Sequence, residues 1–169
     1  LCLGLALGLC LGPCTATAAF TRDGDYTIAG LFPIHRLPPR AATRPRVDTC
    51  DNAQAFQSHG YHLFQTMRLT VEEINDSSSL LPNVSLGYDV YDTCSESANV
   101  HATLRALAPK GQHAVPVLPA PGHHEPAAVA VIGPDSTQLA LTTAAILSVF
   151  LTPEVGRAPR GRAGSGAAG

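Results

Sequence analysis

At 169 residues and 45% hydrophobic content, the chain has the length of one domain and enough apolar material to build a core. Its 11 basic residues stand against 13 acidic ones, and Lys110 is the single lysine. That balance leaves no basic footprint, so nucleic acid is excluded as the expected partner.

The opening, LCLGLALGLCLGPCTATAAF, is an apolar run of about a dozen residues passing into Ala16, Thr17 and Ala18. This is the pattern of a secretory h-region with an A-x-A-like cleavage site, and it is shorter than the roughly 20 apolar residues a bilayer span requires. Residues 1–19 therefore read as a signal peptide, incomplete at its start because neither an initiator Met nor a basic n-region precedes it. Cleavage would take Cys2, Cys10 and Cys14 and leave Cys50 and Cys94, which in an exported chain are expected to pair. Two sequons, Asn75-Asp76-Ser77 and Asn83-Val84-Ser85, suit the same compartment and make Asn75 and Asn83 candidate glycosylation sites. With no transmembrane stretch after the signal, the chain as given reads as secreted or luminal.

Asp25 to His35, DYTIAGLFPIH, has the density of a buried strand ending at Pro33. The proline- and arginine-rich segment RLPPRAATRPRVDTC follows as an excursion over the surface. From Phe56 to Asn75 the period turns helical, with Leu63, Met67, Val71 and Ile74 forming one apolar stripe. After NDSSSLLPN, the segment VSLGYDVYDT alternates as a strand with Val84, Leu86, Tyr88 and Val90 on one face. Ser95 is placed to cap a second helix with Ala98 to Leu107 as its body. A loop rich in proline and glycine then leads to the strand AAVAVIG and a third helix after PDST. This strand–helix alternation predicts an α/β fold with an open parallel sheet and right-handed crossovers. The segment from Thr152 onward loses periodicity in Gly, Ala, Arg and Pro and is expected to be disordered.

In such sheets ligands bind beyond the carboxyl ends of the strands. The loop IGPDST is one such place: the strand stops at Gly133-Pro134, and Ser136 and Thr137 stand in the first helical turn. Free backbone N–H groups and the positive end of the helix dipole would hold a carboxylate or phosphate there, with two hydroxyls beside it. Ordinary capping by Asp135 or Ser136 explains the same residues, and Asp135 opposes an anion unless it turns away. His59 and His62 at the start of the first helix, and His123-His124 in a loop, lack a Cys or carboxylate at a recognised metal spacing, so no metal is expected. No nucleophile elbow, dinucleotide fingerprint, phosphate loop or zinc-protease motif occurs, so no catalytic residue and no cofactor is assigned.

The segments GDYTIAGLFPIH, HGYHLFQTMRLTVEEIN, LLPNVSLGYDVYDTCSESANVHATLRAL and VAVIGPDSTQLALTTAAILSVFL resemble, in one order, the extracellular Venus flytrap module of class C G-protein-coupled receptors, in particular the amino-acid taste receptors. The resemblance spans Gly24 to about Leu151. It implies a bilobed fold of the periplasmic-binding-protein type I class, of which residues 20–151 are an incomplete lobe 1. It implies further that Ser136 and Thr137 contact an L-amino acid, and that His59 lies near the cleft mouth where the phosphate of a purine 5'-ribonucleotide binds. Cys50 and Cys94 match the intralobe disulfide. The implied partners are a second taste-receptor subunit as heterodimer and a G protein, with this region extracellular at the plasma membrane. Val149 departs from the family's proline, and after Thr152-Pro153 the resemblance stops, so residues 152–169 are expected to be a non-family tail. A secreted amino-acid-binding module without signalling, another class C subunit and an α/β enzyme stand as alternatives.

Overall fold

The computed structural model describes residues 20–38, 50–51, 53–109 and 126–156. In chain order its elements are β1 (Thr21–Arg22), β2 (Tyr26–Phe32), β3 (His35–Arg36), β4 (Ala55–Phe56), α1 (Ser58–Asp76), β5 (Leu86–Asp92), α2 (Glu96–Leu107), β6 (Ala128–Ile132), α3 (Thr137–Val149) and β7 (Glu154–Val155). The expected signal peptide, His123-His124, most of the arginine-rich excursion and the tail beyond Gly156 lie outside the described residues.

The main sheet has the order β1-β5-β2-β6-β7. β2 is paired in parallel with β5 and β6, and β6 in parallel with β7, as the strand–helix alternation predicts. The sheet is not wholly parallel: β1 runs antiparallel to β5, with Thr21 opposite Asp89 and Arg22 opposite Tyr88. Two further pieces escape a reading based on period. β3 and β4 form a separate antiparallel pair, and β7 joins the sheet at Glu154–Val155, past the boundary expected at Leu151. Each of these strands is two residues long, too short for an alternation to register.

The two faces of the sheet carry different helices. α1 covers one, packing Phe64, Met67 and Val71 against Phe32, Leu86, Tyr88 and Val90. The predicted stripe is turned slightly: Gly60, Phe64, Met67 and Val71 are buried, while Leu63 and Ile74 flank them, partly covered. Phe64 sets that rotation, because its ring meets Phe20, Tyr61 and Tyr88 at centroid distances of 5.0, 5.9 and 6.3 Å. Full burial of such a side chain stabilises the fold by about 1.5–3 kcal/mol, which outweighs the helix's lack of a capping side chain.

The opposite face is built from small residues. Ala102, Ala106 and Leu107 of α2 and Leu147 of α3 close over Ala29, Leu31, Ala128 and Val131. α2 begins as predicted, with Ser95 Oγ accepting the Ala98 N–H at 3.2 Å. Between α2 and α3 lie three polar side chains with no solvent exposure, Asn99, Thr103 and Thr143. Asn99 Nδ2 donates to Thr143 Oγ1 at 3.0 Å, and Thr103 Oγ1 donates to the Asn99 carbonyl at 2.8 Å. Burial without these partners would be costly, so the network fixes the register of α3 on α2.

Candidate functional site

β2 lies between β5 and β6, and the chain reaches β5 first through α1, then returns through α2 to β6. The direction of winding therefore reverses beside β2. In an open α/β sheet the crevice at such a reversal, outside the carboxyl ends of the strands, is where ligands are held. Here it is bordered by the turn after β2 at Pro33 and the turn after β6 at Gly133-Pro134.

Glycine shapes both borders. At Gly60 an added Cβ would collide with the Pro33 carbonyl, so α1 can start directly on the backbone that leaves β2. At Gly133 the backbone has φ of 88° and a Cβ would collide with the Leu31 carbonyl, so only glycine turns the chain out of β6 at this closeness. Asp92, at the end of β5, holds the exit of β2: Oδ1 accepts the N–H groups of Ile34 and His35 at 3.0 and 3.1 Å, and Oδ2 pairs with His35 Nδ1 at 2.6 Å. Two residues on, Cys94 is disulfide-bonded to Cys50. The expected pairing is thus present, and it ties the chain before β4 to the end of β5.

These constraints bring two helix starts together. His59 of α1 and Asp135, just before α3, meet with Nε2 3.3 Å from Oδ2. Ser136 is the N-cap residue of α3 and half-buried, and Thr137 is its first helical residue and exposed. Capping, the plain explanation of these residues, is not what Ser136 does: its side chain makes no cap hydrogen bond at the start of α3. Gln57 at the start of α1 likewise makes no side-chain cap bond, whereas α2, away from the reversal, is capped by Ser95. The first-turn N–H groups of α3 have no acceptor within the helix, and its dipole adds positive potential. The Asp135 carboxylate, which would oppose an anion here, is directed at His59 instead.

The edge of this region carries a carboxyl whose ionisation the fold opposes. Burial raises the pKa of Glu154 on β7 above the ordinary carboxylate value, and its Oε1 is buried without a hydrogen-bond partner among the described residues.

The remaining expectations fall elsewhere. His62 is an exposed residue on α1. Among the described residues no group of three or more His, Cys, Asp or Glu side chains converges as metal ligands would, and no helix is long and apolar enough to cross a membrane. Asn75 and Asn83 both lie toward the opposite end of the sheet from the crevice: Asn75 is half-buried in the last turn of α1, and Asn83 is exposed in the turn before β5. The Asp135–His59 pair, the Asp92 clamp and the role of Gly133 were not readable as a site. Each joins residues far apart in the chain, and the one local signal was a glycine at the end of a strand pattern.

Residues 62–158 match the family described as receptor family ligand binding region. The chain is 56% identical over 136 residues to taste receptor type 1 member 1 of Homo sapiens, covering 80% of this chain and 16% of that protein. It is 49% identical over 159 residues to taste receptor type 1 member 1 of Mus musculus, covering 92% of this chain and 19% of that protein. Taste receptor type 1 member 3 of Mus musculus is 37% identical over 157 residues, covering 90% of this chain and 17% of that protein. The chain thus spans less than a fifth of the length of these relatives.

Proposed function

The chain belongs to the receptor family ligand binding region family, and on that premise we propose that it is the first part of the amino-acid-binding lobe of a class C taste receptor, a binding module and not an enzyme. In this reading residues 1–19 direct export, the described residues face the outside of the cell, and the receptor of which they are part sits in the plasma membrane. The ligand is an L-amino acid, with L-glutamate as the umami stimulus. Its carboxylate is taken by the first turn of α3, where backbone N–H groups and the hydroxyls of Ser136 and Thr137 converge.

The observation that carries the reading is the uncapped start of α3 beside the reversal of the sheet, with the Asp135 carboxylate turned to His59. A helix start whose own sequence supplies Asp, Ser and Thr, yet leaves its N–H groups without a side-chain acceptor, keeps them for another acceptor. His59 enters second. Its side chain is 67% exposed, so it is the residue assigned to the phosphate of a purine 5'-ribonucleotide. That phosphate competes with Asp135 for the imidazole, which is how nucleotide at one helix start would influence amino acid at the other.

Signalling belongs to the whole receptor, with taste receptor type 1 member 3 as the heterodimer partner and a G protein inside the cell. Ligand favours the closed clamshell by its higher affinity for that state. The test is made in an intact receptor chain that contains this region. Ser136→Ala or Thr137→Ala is expected to reduce the L-glutamate response sharply while surface expression stays normal, and an unchanged dose-response overturns the assignment.

A further inference from the structure

The two sequons are not equivalent in the fold. Asn83 is exposed, in the turn that follows Pro82, with φ of 62°. Asn75 lies in the last turn of α1, and both atoms of its side-chain amide are engaged with one residue of β5: Oδ1 accepts the Leu86 N–H at 2.7 Å, and Nδ2 donates to the Leu86 carbonyl at 2.9 Å. Leu86, Tyr88 and Val90 point their backbone groups to the same edge of β5, since alternate residues of a strand do so. Val90 N–H is taken by the Phe20 carbonyl at 2.7 Å, and Tyr88 lies opposite Arg22 of β1. The antiparallel register would next set Gly24 opposite Leu86, but the chain turns away into β2 at that point, and Asn75 supplies the missing rung.

We propose that Asn83, and not Asn75, carries the N-linked glycan of the folded protein, and that Asn75 acts as a side-chain rung that docks the end of α1 on the first residue of β5. The inference rests on the extracellular placement proposed above and on no assumption about the ligand.

The chemistry of the attachment separates the two sites. Transfer from a lipid-linked oligosaccharyl pyrophosphate forms a bond between Nδ2 and the anomeric carbon, breaks the bond from that carbon to the pyrophosphate, and releases the lipid pyrophosphate and one amide proton. The product is a secondary amide, which prefers the trans form by a wide margin. Trans geometry places the sugar carbon on the same side of the C–N bond as Oδ1. A side-chain amide that exchanges two hydrogen bonds with the N–H and carbonyl of one residue must use the hydrogen on that same side. The glycan would therefore replace the hydrogen that binds the Leu86 carbonyl. At Asn75 the glycan and the rung exclude each other, whereas the Asn83 turn presents its amide to solvent, the setting in which acceptor sites are found. The glycan would then stand at the amino end of β5, away from the crevice at the carboxyl ends of the strands.

The full chain, placed behind an exogenous secretion leader in a mammalian cell line, is recovered from the medium as disulfide-bonded monomer. Enzymatic release of the glycans in heavy-oxygen water then marks each formerly occupied Asn by conversion to labelled Asp, read by peptide mass spectrometry. Label at Asn83 with none at Asn75 is the expected result, and label at Asn75 in this fraction overturns it. Absence of label from both sites overturns the assignment of Asn83 while leaving the ligand reading untouched. Ser77→Ala, which abolishes the first sequon and leaves the Asn75 amide in place, should change neither electrophoretic mobility nor secreted yield. Asn83→Gln should remove the whole mobility shift. A mobility step lost in Ser77→Ala, or retained in Asn83→Gln, contradicts the proposal.

Discussion

His59 and Asp135 stand at the starts of α1 and α3, and their side chains meet at 3.3 Å across the crevice beside β2. Exposures of 67% and 30% put the pair in solvent, where such contacts contribute about 0–1 kcal/mol. Its role is therefore directional and not structural. His59→Ala and Asp135→Ala are each expected to shift the urea midpoint little, and the double-mutant coupling should stay below about 1 kcal/mol. A larger coupling would mean that the pair holds the helices together and that the imidazole is not readily released from Asp135 to a phosphate.

The opposite holds inside the α2–α3 interface. Among the described residues Asn99 Nδ2 has Thr143 Oγ1 at 3.0 Å and otherwise only the Leu139 carbonyl at 3.5 Å, and both Asn99 and Thr143 are fully buried. Thr143→Val keeps the shape and removes the acceptor. Loss of about 1–3 kcal/mol is expected in denaturant unfolding, the cost of stranding a buried donor. Because α3 carries Ser136 and Thr137 at its start, exchange of the Ala140 amide, which donates to the Ser136 carbonyl at 2.9 Å, should also quicken. Protection unchanged there would show that the helix start is positioned by its own turn at Gly133.

The elements that could be read from the sequence are those with a long period. α1, β5, β2 and β6 each bury a face wide enough for their apolar residues to recur, so their existence and parallel order followed from spacing. Ser95 was legible as a cap because the N-cap bond is local. At Ser136 the same local chemistry misled: a hydroxyl at the N-cap predicts a capping bond, yet its side chain makes none, and the neighbouring Asp135 pairs with His59 of a different element. The Asn75 rung was hidden in the same way. A sequon is a three-residue pattern, whereas the Leu86 backbone that competes for the amide comes from the next strand.

The disulfide closes a large loop. Cys50 and Cys94 are separated by 44 residues, and in the chain-entropy account cross-linking a loop of that size stabilises the fold by about 4 kcal/mol. It also anchors the end of β5, where Asp92 holds the backbone that leads to β3. Replacement of both cysteines by serine should lower the urea midpoint by an amount corresponding to about 2–5 kcal/mol. Reductant should do the same to the parent chain and nothing to the double variant. If reductant leaves the parent's midpoint unmoved, the bond constrains little of the unfolded chain.

Glu154 makes stability depend on pH in a direction opposite to that of a paired carboxylate. Burial raises its pKa in the folded state, while in the unfolded chain it titrates at the ordinary value. Between those two values the folded protein holds more protons than the unfolded one. Stability therefore falls as pH rises from the ordinary carboxylate range through the raised value, and it remains lower above it. Its Oε1 is buried close to Gly156, with no hydrogen-bond donor among the described residues to offset the charge. Glu154→Gln removes the ionisation and keeps the shape. Its melting temperature should exceed the parent's at about pH 7, and the gain should vanish at about pH 3, where the carboxyl is protonated in both states. A gain that persists unchanged at the acid end would assign the effect to packing of the amide, and a loss at neutral pH would mean that the carboxylate finds a donor when it ionises.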